Sequence, residues 1–330
     1  MMRALSRFGT TFARGGATLP PLGVASLVTV AGFWLWTLVM DLRGSLRWDH
    51  VAVALLATVL RFGSAPAQKL FRGLIPLGLV GVTYDAMRFV ANVGLSESTV
   101  HVCDLRDLER QWFGITSGAE RITLHDWLQP RAMAWLDVLC AIPYGAFITV
   151  VIGYCLYLLV RDFGAQQRFA WGFLALNLAG FITYHVYPAA PPWYFHQHGC
   201  HVDLAAAASA GPNLLRVDSL LGVHYFGGLY GRASDVFGAF PSLHCAYPSL
   251  MLAIGWRLHG PLGRTLLALF LGWMAFSAVY LDHHWVIDVL AGASYAFATA
   301  FLVGRVPSLV SPRSPAAKID VSAAPDRAVG

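Results

Sequence analysis

The 330-residue chain is 57% hydrophobic and only 12% charged, with a mean hydropathy of +0.57, where an ordinary soluble domain carries roughly 25% charged residues. That composition excludes a water-soluble globular domain and indicates a polytopic membrane protein, with 11 Trp and 12 Tyr to occupy the membrane interfaces. The net charge of +5 does not indicate a nucleic-acid partner, because Lys and Arg are scattered through short loops and tails without a basic stripe.

Residues 1–20 ("MMRALSRFGTTFARGGATLP") are basic and Gly-rich. With no small-residue cleavage site they read as a cytoplasmic tail ahead of a first spanning helix, not as a signal peptide. Eight apolar runs follow, at about 22–40, 50–62, 71–94, 133–160, 168–187, 243–259, 264–281 and 285–304. The second is short for a span, which needs about 20 apolar residues, and is expected to tilt or to insert partly. Two long loops, 95–132 and 188–242, interrupt the series. Within the first, "RITLHDWLQP" (121–130) is expected to form an amphipathic helix on the outer surface. Residues 306–330, rich in Pro, Ser and Ala, are expected to be disordered. The expected organisation is thus a tail (1–20), a membrane-embedded domain (21–305) and a second tail (306–330). The fold class is an all-α polytopic bundle of about six to eight transmembrane helices.

With the N-terminus inside, the short connections and tails collect Arg3, Arg7, Arg14, Arg61, Lys69, Arg72, Arg161, Arg168, Arg257, Arg264 and Arg305. The two long loops carry half of the 18 acidic residues. The positive-inside rule then places both termini in the cytoplasm and both long loops outside. "FPSLH" (240–244) leads into the sixth run from outside, and "DHHWVID" (282–288) opens the eighth from outside. One helix down and one helix up return the chain to the same face, so the two motifs can meet.

His284 and Asp288 are four apart on a predicted helix and share a face. The carboxylate can accept the Nδ1 proton, fix the tautomer and leave Nε2 free as a nucleophile. His244 is then available as a general acid. Ser242 and the backbone amides at the start of the sixth run form an anion cradle at a helix N-terminus. This set suits phosphoryl transfer through a phosphohistidine. A lone interfacial histidine is more often a polar cap, but an ionisable residue inside a span marks a site, and two motifs converge here. His283 competes for the nucleophile's role, yet only His284 has a carboxylate at i+4.

Arg88, three residues after Asp85, is either a cation for the phosphate or half of a structural ion pair; Arg232 is a weaker candidate. "PAAPPWY" (188–194) is expected to be a rigid extended turn, since its three prolines oppose a helix. Its Trp193 and Tyr194 line a lipid or head-group pocket, or anchor the chain at the interface. His185, His196, His198 and His201 are split by spacing that suits no metal, and neither a metal nor a cofactor is expected. Among the five cysteines, none forms a C-x-x-C. Cys140 and Cys155 read as packing residues, and Cys103 and Cys200 can pair if the long loops face an oxidising side.

"FPSLH" with "YLDHHWVID" resembles the second and third signature motifs of the type 2 phosphatidic acid phosphatase superfamily. The resemblance is closer to its inositol phosphorylceramide synthase branch, through "YHVYPAAPPWYFHQHG" (184–199), "FRGLIPLGLVGVTYDAMRFVANV" (71–93) and "VHVCDLRDLERQWFG" (100–114). It implies His284 as nucleophile, Asp288 as its orienter and His244 as general acid. The chain departs from the phosphatases in lacking a Lys-x6-Arg-Pro motif, in carrying Ser277–Ala278 where they have Ser-Arg, and in Leu243 where they have Gly. A phosphomonoester dianion wants a bidentate Arg clamp, whereas a singly charged phosphodiester needs less. The departures therefore favour a diester donor.

The resemblance implies transfer of a phospho-head group, phosphoinositol, from a phospholipid donor to a ceramide-like lipid alcohol. The rivals are a lipid phosphate or pyrophosphate phosphatase and a non-enzymatic lipid-binding or transport protein. High Ala, Gly and Arg content points to a GC-rich bacterium, hence to an inner membrane with the site facing the periplasm.

Overall fold

The computed structural model describes residues 22–306 apart from 92, 207, 208, 210, 232, 234 and 235. The two expected tails, save Val306, and Arg232 therefore lie outside the described residues. In chain order the elements are α1 (Val24–Leu42), α2 (Trp48–Phe62), α3 (Ala65–Met87), α4 (Cys103–Phe113), β1 (Ile115–Ser117), β2 (Glu120–Ile122) and α5 (Leu124–Leu128). They continue with α6 (Ala134–Arg161), α7 (Phe163–Val186), α8 (Pro192–His198), α9 (Gly211–Leu221), α10 (Tyr225–Tyr230), α11 (Leu243–Gly255), α12 (Pro261–Tyr280) and α13 (Val286–Val303).

Among the described residues six helices, α1, α3, α6, α7, α12 and α13, are long and apolar enough to cross a membrane. The protein is an all-α, multi-pass membrane bundle. The apolar α11, with 13 residues, rises only about 20 Å against a hydrocarbon core of about 30 Å. The third span begins and ends earlier than its hydropathy predicts, at Ala65 and Met87. Beyond Met87 the chain breaks into turns, because the Arg88 side chain folds back on the Asp85 carbonyl (3.0 Å) and carboxylate.

The inner core joins α3, α6, α7, α11 and α13 through Val80, Leu158, Phe169, Leu176, Leu250 and Ala296. Close approach depends on small residues. A Cβ at Gly180 of α7 would lie 2.9 Å from the Leu243 side chain at the start of α11. The outward faces of α12 and α13 expose Leu262, Leu266, Leu269, Leu290, Phe297 and Phe301, an apolar area too large for a soluble surface and suited to acyl chains.

The two long loops fold together as a cap over one end of the bundle. Cys103, at the start of α4, forms a disulfide with Cys200, just beyond α8, with Cα atoms 5.4 Å apart. Cys140 and Cys155 are free and buried. "PAAPPWY" is only half extended. Ala189 bridges both His101 and Gly238, while Pro192 opens helix α8. Proline costs nothing at the first helical position, where its missing N–H has no partner in any case, so the prolines start this helix instead of preventing it. The segment 121–130 is likewise not one amphipathic helix: β2 pairs with β1, only Leu124–Leu128 is α-helical, and His125 is fully buried.

Candidate active site

The site is built where α11 meets α13. Ser242 caps α11, its Oγ accepting from the Cys245 amide (3.4 Å), while the Ser242 N–H donates to the Asp288 carbonyl (2.9 Å). One turn further along α13, Gly292 lets the two backbones touch: a Cβ there would lie 2.1 Å from the Ser242 carbonyl oxygen. These contacts bring the rings of His244 and His284 together, with His244 Nδ1 3.2 Å from His284 Nε2.

The hydrogen bonds around the two rings assign their protons. His284 Nδ1 lies 2.9 Å from the Ala239 carbonyl, which can only accept, so Nδ1 carries the proton and Nε2 carries the lone pair. His244 Nδ1–H then donates to His284 Nε2, and His244 Nε2 accepts from the Tyr230 hydroxyl at 3.0 Å. Burial, partly offset by the Ala239 carbonyl, pushes the His284 imidazole down to about 4. His284 is therefore neutral, with its Nε2 unprotonated, throughout the physiological range. Tyr230→Phe removes one hydrogen bond worth about 1 kcal/mol and is expected to lower kcat about fivefold with KM unchanged, read by steady-state kinetics.

Asp288 does not take the His284 proton in this arrangement. Its Oδ2 is 3.6 Å from Nδ1, beyond hydrogen-bond reach, and instead accepts from the Trp285 amide (2.9 Å). Oδ1 has no partner among the described residues. The nearer orienter of His284 is the Ala239 carbonyl, and the carboxylate serves first as the N-terminal cap of α13. Glu109 from α4 completes that cap, accepting from the amides of Val286 (3.1 Å) and Ile287 (3.2 Å).

An aromatic cage encloses His244. Tyr144 stacks on it with ring centroids 4.6 Å apart, Phe147 meets it edge-on at 4.8 Å and Tyr230 is tilted at 6.1 Å. Such faces stabilise an imidazolium by about 0.5–2 kcal/mol. His283 packs against Tyr144 and Tyr230 rather than against His284.

The remaining sequence-predicted residues make their described contacts with groups other than the histidine pair. Arg88 is bound to Asp85, whose carboxylate also takes Arg47 (2.9 Å) and His50 (3.0 Å). Asp49 completes this group beside Arg47, so two guanidinium groups face two carboxylates. The ion-pair reading of Asp85 and Arg88 is the one the geometry displays. Trp193 and Tyr194 are 6% and 0% exposed, packed with Val100, Val102, Val202 and Phe237. The Tyr194 hydroxyl accepts from the Asp203 amide (2.7 Å), so neither ring borders an open pocket. Among the described residues no group of three or more His, Cys, Asp or Glu is arranged to hold a metal.

Tyr144, Phe147, Tyr230, Ala239 and Glu109 were not legible as site residues. Glu109 lies within "VHVCDLRDLERQWFG" and Ala239 just ahead of "FPSLH", but neither stretch marks them by residue type.

A family model of the PAP2 superfamily matches residues 114–302. The chain belongs to the PAP2 superfamily. Within and beyond that match it is 35% identical to the phosphoinositol dihydroceramide synthase of Bacteroides thetaiotaomicron over 260 residues, 76% of this chain and 82% of the relative. It is 34% identical to the inositol phosphorylceramide synthase of Candida albicans over 164 residues, 48% of this chain and 34% of the relative. With the catalytic subunit of the Saccharomyces cerevisiae inositol phosphorylceramide synthase it shares 32% identity over 178 residues, 53% of this chain and 44% of the relative. The chain thus spans less than half the length of these fungal members of the superfamily. No solved structure matches it.

Proposed function

We propose that the protein is a membrane lipid phosphotransferase that moves phosphoinositol from phosphatidylinositol to a ceramide-like lipid alcohol by way of a phosphohistidine on His284. The observation that carries this reading is the 3.2 Å approach of two neutral-capable imidazoles from separate helices, one of them with an assigned, unprotonated Nε2. The names of the superfamily relatives supply the head group and the acceptor.

In the first displacement the His284 Nε2 lone pair attacks phosphorus and the bond to the diacylglycerol oxygen breaks. His244, neutral in the free protein, takes a proton from solvent at Nε2 when the anionic phosphate binds. As the imidazolium it gives its Nδ1 proton to that oxygen and is left neutral with Nε2–H directed at Tyr230. A hydroxyl can accept as well as donate, so Tyr230 holds the ring in both states. In the second displacement the acceptor's hydroxyl oxygen attacks phosphorus, its proton passes to His244 Nδ1, and the bond to His284 Nε2 breaks. Both histidines return to their starting states. Ser242 sets the first turn of α11, whose amides and dipole favour the phosphate's single charge. Asp288 and Ala239 orient the nucleophile. Arg88 and Asp85 brace the ends of α2 and α3, and Trp193 and Tyr194 brace the cap. The site faces the periplasm of a bacterial inner membrane. That placement is supported by the Lys and Arg distribution and by the Cys103–Cys200 disulfide, a bond of oxidising compartments.

The test is the purified full chain in detergent micelles with head-group-labelled phosphatidylinositol, with and without ceramide. The expected result is labelled inositol phosphorylceramide with equimolar diacylglycerol when ceramide is present and, without it, no more diacylglycerol than the single equivalent that phosphohistidine formation releases. Release of labelled inositol phosphate at the same rate without ceramide rejects the transferase in favour of a phosphatase. Lipid binding with no turnover of either kind rejects an enzyme altogether.

A further inference from the structure

The turn that carries the histidine pair is held from the cap by a polar cluster for which the reaction above has no use. Asp282, immediately before His283 and His284, has φ of 66°, in the left-handed region where Asp and Asn are the best-tolerated residues after Gly. It is 3% exposed. Its Oδ1 meets His125 Nδ1 at 3.1 Å, its Oδ2 meets His196 Nδ1 at 2.6 Å, and its carbonyl accepts from the Trp193 amide at 3.0 Å. His196 Nε2 in turn reaches Asp126 Oδ1 at 3.2 Å, and Asp126 holds Arg106 at 3.0 Å. Both nitrogens of His196 thus face carboxylates, which accept only, so the ring carries both protons.

A buried carboxylate with a left-handed backbone is an expensive residue to keep. This one draws partners from α5 and α8, while Glu109 from α4 grips the amides at the far end of the same turn. The Cys103–Cys200 disulfide ties α4 to the segment just after α8. The gripped turn carries His284, and with it His283.

We propose that Asp282 is a positioning residue: clamped by His125 and His196, it fixes the turn that aims the His284 imidazole at His244 and at the phosphorus. The inference rests on His284 being the nucleophile, as in the proposed reaction. The charged and titratable groups facing His196 are Asp282 from the turn, Asp126 and His125 from α5, and Arg106 from α4. Burial opposes charge on the ring, but the hydrogen bonds to Asp126 and Asp282 outweigh it and raise the imidazole to about 9. With the folded value above the ordinary 6.5, the clamp is complete below about 6.5 and is lost as pH rises through about 9.

Asp282→Asn separates charge from conformation, because Asn keeps the left-handed backbone. The full chain and this variant are compared by diacylglycerol release from phosphatidylinositol, the first displacement in both transfer and hydrolysis, with ceramide product measured in parallel. The expected result is a fall in kcat of about tenfold with KM changed less than about twofold, the loss following from a small misplacement of the attacking ring. The unaltered protein is expected to lose kcat as pH rises through about 9, and the variant to lack that limb. His196→Gln, at the rim of the cluster, is expected to lack it too and serves if Asp282→Asn does not fold. An unchanged kcat with the alkaline limb intact in either variant overturns the proposal. Should the unaltered protein release no diacylglycerol, the reaction proposed above fails, and ¹⁵N-histidine NMR decides the clamp separately. Asp282→Asn must then move the His284 ring resonances, and unmoved resonances overturn it.

Discussion

His284→Ala is expected to abolish turnover, by more than about 10⁴-fold in kcat, while leaving the protein folded. The expected loss is this large because in the proposed reaction the side chain supplies the atom that attacks phosphorus. His283 is turned toward Tyr144 and Tyr230, whereas the 3.2 Å contact with His244 is made by His284. His244→Ala is expected to cost less, about 10²–10⁴-fold, the range for a general acid–base group. The two variants also separate in what they trap. Incubated with head-group-labelled phosphatidylinositol and no ceramide, the unaltered protein is expected to retain acid-labile, base-stable label on His284, and His284→Ala none. His244→Ala is expected to acquire label slowly and to hold it when ceramide is added, since the base for the second displacement is missing. A His284→Ala protein that still forms labelled product removes the phosphohistidine from the reaction. Folding is checked by size-exclusion chromatography and by thermal unfolding, which cavity formation at one buried ring lowers by only a few kcal/mol.

Much of this architecture is readable from residue order because membrane constraints are severe. Every spanning segment must satisfy its own backbone, so apolar helices follow from composition. Of the eight expected runs, six are long and apolar enough to cross among the described residues, α2 and α11 being shorter. The path through α11 and α12 returns the chain so that His244 and His284 meet. The i,i+4 spacing correctly places Asp288 beside His284, but not the contact itself. The ring turns its Nδ1–H to the Ala239 carbonyl instead, and a backbone acceptor leaves no trace in a sequence. Ala239 is in reach only because Ala189 threads between His101 and Gly238, a pairing among three distant segments whose small residues give no alternating pattern. Tyr230 and Tyr144 are invisible for a related reason. Aromatic residues are common in such chains, and what makes these two matter is the docking of α10 and α6 against one imidazole. Asp282 lies within the motif "DHHWVID", but a left-handed aspartate looks like any other turn residue until its partners from α5 and α8 are known. The start of α8 at Pro192 departs from the extended turn that its prolines suggest, because proline opposes a helix interior but not a helix beginning.

Gly292→Ala is expected to damage both stability and catalysis, although the residue touches neither histidine. Its added methyl would lie 2.1 Å from the carbonyl oxygen and 3.0 Å from the carbonyl carbon of Ser242. The obstructing atoms belong to the backbone at the cap of α11, so no rotamer change relieves the overlap. The helices must separate, or α11 must shift along α13. Overpacking of this kind costs about 1–3 kcal/mol, read as a lower unfolding temperature. The catalytic loss is expected to be larger in proportion. The Ser242 N–H to Asp288 carbonyl bond (2.9 Å) and the His244 to His284 contact (3.2 Å) sit on the two helices being pushed apart. A misplacement of about 1 Å between reacting groups costs about 10²-fold in rate. The same change at Gly272 of α12, where a Cβ would meet nothing within 4 Å, is the control and is expected to leave kcat unaltered. If Gly292→Ala kept full activity, the fixed spacing of α11 and α13 would not be what sets the distance between the two imidazoles.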